Sequence, residues 1–165
     1  MSKKFKFRWA KTEYTDAPFL GWREIESTKT VIKEDGKEVE EKVWSSYKWK
    51  TFGQAIEEAE NLACGIRGRK LNNEVEEDGK KYSFIAIYAK NRPEWIVTDI
   101  AGMISSVTSV TLYDTLGAES SEYILSQCEI TTIFTSGNLV SNVLKLKKDG
   151  WAETVVNIVT YDDVS

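Results

Sequence analysis

The chain has 165 residues, of which 41% are hydrophobic and 29% charged, and its net charge is −4. This composition is typical of one soluble globular domain, and it excludes a general nucleic-acid binder, which would carry a basic domain. The absence of histidine removes the commonest general base and metal ligand, and with them every Ser-His or Cys-His catalytic pair.

The cysteines and the apolar runs argue against a zinc protein, a secreted protein and a membrane-spanning protein. Cys64 and Cys128 have no CxxC partner, so we predict no zinc site. Both fall on apolar faces of predicted helices, which indicates buried reduced thiols, although their spacing leaves a disulfide open. Residues 1–11 lack the apolar core of a signal peptide, and no run of about 18 apolar residues predicts a transmembrane helix.

The N-terminal stretch alternates cations with aromatic residues, namely Lys4, Lys6 and Arg8 with Phe5, Phe7 and Trp9. Strand periodicity would place the cations on one face and the aromatic rings on the other. We therefore expect an edge strand or arm that docks its rings on the body of the protein. The alternative is weak contact between residues 2–11 and an anionic membrane surface. Residues 14–25 are expected to form a loop or a short extended piece.

A hairpin and a helix follow. Asp35-Gly36 lies between two polar strands, Thr28–Lys33 and Glu38–Trp44, and predicts a surface hairpin with a type I′ turn. After a short aromatic strand, Thr51 and Gln54 have the spacing of a capping box, and apolar residues then recur at spacings of three and four. The polar run 69–82 is expected to be a loop.

From residue 83 onward, predicted strands and helices alternate with short connections. The strands are 83–88, 107–112, 131–135 and 155–159, and the helices between them begin near residues 91, 117 and 138. Asn91 is expected to cap its helix, with Pro93 in the first turn. This order predicts the α/β class, with an open, mostly parallel sheet covered by helices on both faces.

We assign residues 1–165 to a single domain. It consists of an arm and loop at 1–26, the N-terminal β-hairpin and first helix at 27–68, and a βαβαβαβ core at 83–160.

Ligands of such sheets bind beyond the C-terminal ends of the strands. Lys90 and Arg92 follow the first core strand near a helix N-terminus, where they could attract an anion. Solvated loop cations are the simpler interpretation. Asp114 and Thr115 follow the second strand and suit a turn.

The remaining strand ends carry little chemistry. Ser136-Gly137 suits a helix cap, because a phosphate-binding loop needs more glycines and a lysine. Asp162-Asp163 is expected to be exposed near the end of the chain, and no two carboxylates stand out as an acid–base pair. We therefore predict no catalytic, cofactor-binding or metal-binding residue in this chain.

Two runs, Asn91–Trp95 and Leu112–Gly117, the latter reading LYDTLG, are the most specific in the chain. They resemble the N-terminal part of long-chain acyl-CoA synthetases, which are AMP-forming, adenylate-forming enzymes. Phe19–Arg23 resembles the family's LG-x-R segment, and Tyr47–Phe52 resembles its Y-x-W-x-(T/S)-Y segment. Their order and spacing agree with the family from about residue 17 to residue 160.

The resemblance implies an enzyme much longer than this chain, one that activates a fatty acid with ATP and Mg²⁺ and transfers the acyl group to CoA. It also implies that the phosphate loop, the fatty-acid tunnel and the mobile C-terminal domain lie outside this segment. ATP, Mg²⁺ and CoA therefore belong to the full-length family, and we expect this chain alone to bind none of them and to be inactive.

The expected partner is the remainder of the synthetase, and the expected location is the cytoplasm or the cytosolic face of the endoplasmic reticulum or another organelle. The alternative is a stand-alone, non-catalytic α/β interaction module or a split-enzyme subunit.

Overall fold

The structure is a computed structural model that describes residues 3–113 and 115–163. Its N-terminal half contains α1 (Lys3–Glu13), β1 (Pro18–Trp22), β2 (Ile25–Ile32), β3 (Glu38–Trp44), β4 (Lys48–Thr51), α2 (Phe52–Gly68), β5 (Val75–Glu77) and β6 (Lys80–Tyr82). The rest contains β7 (Phe84–Tyr88), α3 (Pro93–Ser105), β8 (Thr108–Leu112), α4 (Ala118–Gln127), β9 (Thr132–Thr135), a 3₁₀ turn (Gly137–Leu139), α5 (Val140–Lys148) and β10 (Asn157–Thr160).

Four parallel strands form the central sheet, in the order β10-β9-β7-β8. Strand β7 is apolar through its centre, as expected of a strand covered on both faces. Helices α2 and α3 pack on one face, where Ile66 and Ile100 bury Ile85 and Phe134. Leu125 and Val143 belong to a second core on the other face. The predicted fold class is thus confirmed.

The two-sided arrangement follows from the handedness of the crossovers. The chain runs from β7 outward to β8, then returns past β7 to β9 and continues to β10. Right-handed crossovers in opposite directions place their helices on opposite faces of the sheet. Accordingly, Ile100 of α3 lies in one core, and Leu125 of α4 and Val143 of α5 lie in the other.

The expectation of an N-terminal edge strand is wrong, because residues 3–13 form helix α1. A helix satisfies its own backbone hydrogen bonds, whereas an arm would need an open sheet edge. The helix is held against α2 by an ion pair of 2.8 Å between Lys11 Nζ and Glu60 Oε2, and Phe7 packs against the core between α2 and α3. In the part of the chain that the structure describes, no helix has the length and apolarity needed to cross a membrane.

Strands occur in residues 14–25, which were expected to be a loop or a short extended piece, and in residues 69–82, which were expected to be a loop. Residues Pro18–Trp22 form β1, which pairs antiparallel with β4, so that Gly21 lies opposite Trp49. A side chain at Gly21 would collide with the indole of Trp49, because a Cβ there would lie 2.8 Å from the ring. The polar run 69–82 contains the small hairpin β5–β6. Neither segment has the alternation that identifies a half-buried strand.

The predicted β2–β3 hairpin is confirmed, but its turn is of another type. Only Gly36 has a positive φ (79°), and the Gly36 N–H donates to Lys33 O at 2.8 Å. Lys33 N also donates to Lys37 O, so the loop has three residues and ends in a left-handed glycine. The two consecutive positive φ values of a type I′ turn occur instead at Asp78 (51°) and Gly79 (70°), between β5 and β6.

The predicted capping box is confirmed. The Thr51 N–H donates to Gln54 Oε1 at 2.9 Å, and the Gln54 N–H donates to Thr51 Oγ1 at 3.3 Å. The expected cap at Asn91 is wrong, because Arg92 occupies the N-cap position of α3 and its side chain makes no capping bond, while Pro93 begins the helix as predicted.

The cysteines also differ from expectation. Both thiols are free, but Cys64 is exposed and Cys128 is only partly buried. Cys64 follows Ala63 of the buried stripe of α2, so the one-residue step turns it away from the core.

Candidate functional site

The C-terminal ends of β7 and β9 meet where the strand order reverses. In doubly wound sheets the crevice at this topological switch point is where ligands bind. Here Thr135 Oγ1 at the end of β9 donates to Tyr88 O at the end of β7, at 2.8 Å. The N–H of Tyr161, which follows β10, donates to Thr135 O at 2.9 Å. These bonds bring three strand ends together at one edge.

Four residues from three separate segments form what we call the switch-point clamp: Arg92, Glu94, Gly137 and Asp162. Arg92 Nη1 and Nη2 donate to the two oxygens of Asp162, both at 2.8 Å, and Arg92 Nε donates to Glu94 Oε2 at 2.7 Å. The Gly137 N–H donates to Asp162 Oδ2 at 2.8 Å. The clamp therefore ties the segment after β10 to the start of α3 and to the turn after β9.

The charges of the clamp reinforce one another. The bonds from Arg92, and then the bond from Gly137, hold the pKa of Asp162 below its ordinary value, and Asp162 and Glu94 raise the pKa of Arg92. The Arg92 side chain is 26% exposed and that of Asp162 is 42% exposed. Bidentate geometry makes such a pair stronger than an ordinary surface ion pair, although water still screens it.

Tyr161 lies beneath the clamp. The Arg92 guanidinium carbon is 5.3 Å from the centre of its ring. Its hydroxyl donates to Thr98 Oγ1 at 3.0 Å, and Thr98 donates to Glu94 O at 2.8 Å. Burial raises the pKa of Tyr161 to about 12. The phenol is therefore a structural anchor that stays neutral at physiological pH.

The geometry leaves the clamp little chemistry of its own. Arg92 directs its donors at two carboxylates, and Asp162 already accepts the N–H at the start of the 3₁₀ turn. Arg92 is therefore not the solvated loop cation that we expected, and Asp162 is not merely an exposed carboxylate near the chain end. Lys90 is exposed, as expected of a loop cation, and anion binding there stays an untested alternative.

The other strand ends are accounted for in part. Ser136 occupies the N-cap position of the 3₁₀ turn without a side-chain capping bond, so the cap expected of Ser136-Gly137 is supplied by Asp162. Thr115 is exposed, and the Leu116 N–H donates to Tyr113 O at 3.0 Å, as in a turn. Asp114 lies outside the described residues. Within 3–113 and 115–163, no group of three or more Cys, Asp or Glu residues could hold a metal ion.

A cleft of about 540 Å³ opens beside the clamp, and we call it the motif cleft. Its walls bring together three of the runs that resemble the synthetases, namely Phe19–Arg23, Tyr47 and Asn91–Pro93, with Trp44 and Ile96. The Arg23 guanidinium lies 5.6 Å from the centre of the Tyr47 ring, and its Nε donates to Ser45 O at 2.7 Å. The run Leu112–Gly117 does not line this cleft.

Sequence reasoning missed the roles of Asp162 and Tyr161. The Arg92–Asp162 bonds join residues 70 positions apart, and those of Tyr161 and Thr98 join residues 63 apart. No pattern of neighbouring residues in the sequence predicts pairs that lie so far apart. The one usable signal was positional, since Asp162 directly follows the end of a predicted strand, where functional side chains of these sheets gather.

The parallel strand order and the helices on both faces of the sheet define an open, doubly wound α/β domain. Its residues 29–165 match the family model described as "AMP-binding enzyme", and the chain therefore belongs to that family.

Relatives of known sequence agree with this assignment. The chain is 33% identical over 148 residues to "Fatty acyl-CoA synthetase A" of Dictyostelium discoideum, covering 90% of this chain and 18% of that protein. It is 32% identical over 124 residues to "Long-chain-fatty-acid--CoA ligase 5" of Rattus norvegicus, covering 71% of this chain and 17% of that one. The similarity to long-chain acyl-CoA synthetases expected from the sequence is confirmed. The chain spans about a fifth of the length of these relatives.

Solved structures support the fold. The adenylation domain of a carboxylate reductase from Mycobacterium chelonae superposes with a TM-score of 0.74 at 16% identity, covering 99% of this chain and 23% of that one. The adenylation and carrier didomain of the carboxylic acid reductase from Segniliparus rugosus, determined with AMP, gives 0.69 at 18% identity, covering 98% and 21%. The chain thus has the fold of part of an adenylation domain.

Proposed function

We propose that this chain is the N-terminal scaffold segment of an AMP-forming long-chain fatty acid–CoA ligase. Such an enzyme converts a fatty acid, ATP and CoA into acyl-CoA, AMP and diphosphate. The names of the relatives support the substrate class. The share of their length that the chain covers supports the view that most of the catalytic machinery comes from the rest of the enzyme. We also propose that residues 1–165 form a single incomplete domain.

The observation that carries the scaffold role is the switch-point clamp. A ligand-binding crevice needs donors or acceptors directed at the ligand. In this chain the strongest donors at the switch point are directed at protein carboxylates. The clamp supports a framework that holds the sheet edge in shape.

Two observations support the view that ATP, Mg²⁺ and CoA bind outside this segment. The Arg92 guanidinium is engaged by Glu94 and Asp162. No acidic cluster suited to a cation is found in 3–113 and 115–163. We therefore propose that these groups bind residues of the full-length enzyme outside this segment, and that the enzyme acts in the cytoplasm or on the cytosolic face of an organelle membrane.

The motif cleft is also compatible with a second candidate, a stand-alone interaction module or split subunit. Trp44 is 44% exposed and Tyr47 is 62% exposed along this cleft, and exposed aromatic surface marks contact sites. Size-exclusion chromatography with a thermal melt separates the two candidates. A scaffold segment lacking its remainder is expected to associate or aggregate through such surfaces, whereas a module is expected to be a monomer that melts cooperatively.

The transcript sequence beyond Ser165 tests the proposal itself. We expect a downstream Ser/Thr/Gly-rich loop ending in Pro-Lys-Gly, in frame with this chain. An in-frame stop directly after Ser165 would contradict the single-chain ligase and leave the module or split subunit.

A further inference from the structure

The β2–β3 hairpin stands out from the protein with both of its faces open. Within its two strands only Val31 and Val43 are partly buried, and the other residues are exposed. In the described part of the chain, no third strand pairs with either edge of this hairpin. A two-stranded hairpin is only marginally stable in water and gains stability when further strands or a helix join it. The hairpin is therefore a candidate contact surface.

The outer edge of β3 has backbone groups available at alternate residues. The Lys33 N–H donates to Lys37 O at 2.9 Å, just before the strand, so the odd-numbered residues of β3 direct their N–H and C=O groups at β2. The even-numbered residues direct theirs outward. Arg23 Nη2 already donates to the outward carbonyl of Trp44, at 3.3 Å, so the available edge ends at Val43.

The sequence of β3 is complementary to itself when two copies run in opposite directions. An antiparallel pairing centred on Glu41 sets Val39 opposite Val43 and Glu40 opposite Lys42, and its two-fold symmetry repeats both pairs. The outward-facing residues Glu40 and Lys42 then form the hydrogen-bonded pairs of the ladder. Among the described residues, neither of these two side chains is engaged in an ion pair. Moving the centre by one residue would set Glu40 or Lys42 opposite its own copy, so the charges select this register.

The centre of the pairing is neutralised in advance. Glu41 would lie opposite its own copy, and like charges directly opposite one another destabilise a sheet. Lys29 lies opposite Glu41 within the hairpin and forms an ion pair with it, at 3.0 Å between Nζ and Oε2. By the alternation of side chains along a strand, Val39 and Val43 share the face of Glu41. Two apolar pairs thus flank a neutralised centre.

We propose that the outer edge of β3 binds the same edge of a second copy of this chain. The product is a four-stranded antiparallel sheet in the order β2-β3-β3-β2, with a two-fold axis at Glu41. The paired segment, Val39–Val43, is short, which places the contact in the weak, concentration-dependent class. This interaction is separate from the proposed enzymatic role and does not depend on it.

Sedimentation equilibrium of the 165-residue chain over a range of concentrations tests the contact. We expect a monomer–dimer equilibrium that Lys42→Glu weakens about tenfold or more, because both charge pairs become repulsive. The matched control is Lys33→Glu, which makes the same charge change at an exposed residue outside the paired segment and is expected to stay within about twofold. A natural chain that stays monomeric up to about 1 mM, or equal losses in both variants, would overturn the proposal.

Mixing two charge variants tests the register. Glu40→Lys and Lys42→Glu are each expected to stay monomeric where the natural chain dimerises. Their equimolar mixture is expected to dimerise, because one copy then supplies two cations and the other two carboxylates at the paired positions. Circular dichroism checks that both variants are folded. A mixture that stays monomeric would show that the proposed register is wrong.

The same variants separate this contact from association through the motif cleft. Clustering through the exposed aromatic surface of that cleft would persist in Glu40→Lys and in Lys42→Glu alone. Persistence would overturn the hairpin pairing while leaving the proposed scaffold role intact.

A disulfide trap tests the two-fold axis. Residues of a non-hydrogen-bonded antiparallel pair have Cα atoms about 4.5 Å apart, which a disulfide can bridge. In a Cys64→Ser background, which removes the exposed thiol, oxidised Glu41→Cys is expected to form a linked dimer. Thr30→Cys, at an exposed residue of β2, is the control and is expected to stay largely monomeric. Equal cross-linking of the two would place the contact elsewhere and contradict the proposal.

Discussion

At the residue scale, Asp162 is the acceptor that joins Arg92 and Gly137 in the switch-point clamp. Replacing it with alanine removes both bonds to Arg92 and the acceptor for Gly137. Because Asp162 is partly exposed, we discount the charge contribution and expect Asp162→Ala to lower the free energy of unfolding by about 1 kcal/mol in urea titration. The matched control is the exposed neighbour Asp163, whose replacement by alanine is expected to stay within about 0.5 kcal/mol. Equal effects would mean that the clamp does not stabilise the fold.

The pH dependence of Asp162 follows from the lowered pKa. A carboxyl whose pKa is lower in the folded state contributes stability above its ordinary value of 3.8, and that contribution is lost as the pH falls through the lowered pKa. Asp162→Asn is therefore expected to lose less unfolding free energy than the natural chain as the pH falls below about 3.8. A parallel acid profile for the two proteins would contradict the bonded geometry.

The pKa of Tyr161 is shifted in the opposite direction to that of Asp162. Its pKa is raised from 10.0 to about 12, so its contribution to stability is complete below pH 10 and is lost as the pH rises toward 12. Ultraviolet titration of phenolate is expected to show one late-titrating tyrosine that is absent from Tyr161→Phe. The control, Tyr113→Phe, changes a side chain that is 63% exposed and should leave the late phase in place.

At the scale of elements, Gly102 sets the contact between α3 and β8. A Cβ at Gly102 would lie 2.9 Å from Val107 O, just before β8, and 3.1 Å from Ser109 Oγ, within β8. We expect Gly102→Ala to lower the free energy of unfolding by about 1 to 2 kcal/mol, because the clash exceeds the gain in helix propensity.

Gly65 in α2 is the matched control. A Cβ there meets nothing within 4 Å, so Gly65→Ala is expected to raise the free energy of unfolding by about 0.5 to 1 kcal/mol. Thermal melts of the two variants should therefore move in opposite directions. A stabilised Gly102→Ala would show that α3 and β8 are further apart than the structure has them.

The elements also show where sequence reasoning succeeds. The capping box at Thr51 and the buried strand Phe84–Tyr88 were predictable, because cap spacing and an unbroken apolar run are local signals. Helix α1 was not predictable, because alternating cations and aromatic rings are typical of a strand. Its contacts with α2, which stabilise the helix, involve residues distant in sequence. The turns at Asp35-Gly36 and Asp78-Gly79 have the same Asp-Gly pair but different turn types. The difference accompanies the strand register of each hairpin, which the sequence does not show.

At the scale of the whole molecule, the order of elements was sufficient to predict the parallel sheet and its two helical layers. Family motifs in the sequence also identified the synthetases. The features that the sequence did not predict are contacts between residues far apart in the chain. The motif cleft assembles Phe19–Arg23, Tyr47 and Asn91–Pro93 from three separate segments, and the clamp joins Arg92 to Asp162. Such contacts depend on the completed sheet, so the framework was predictable and the details of its edge were not.

The most direct test of the scaffold role is ATP–pyrophosphate exchange with palmitate. The pure 165-residue chain, shown by circular dichroism to be folded, is assayed beside a full-length synthetase as positive control. Because Arg92 and Asp162 bond to each other at the switch point, and the catalytic machinery is proposed to lie outside this segment, we predict exchange no greater than that of the buffer blank. Palmitate-dependent exchange by the chain alone would contradict the account and place an adenylating site within these residues.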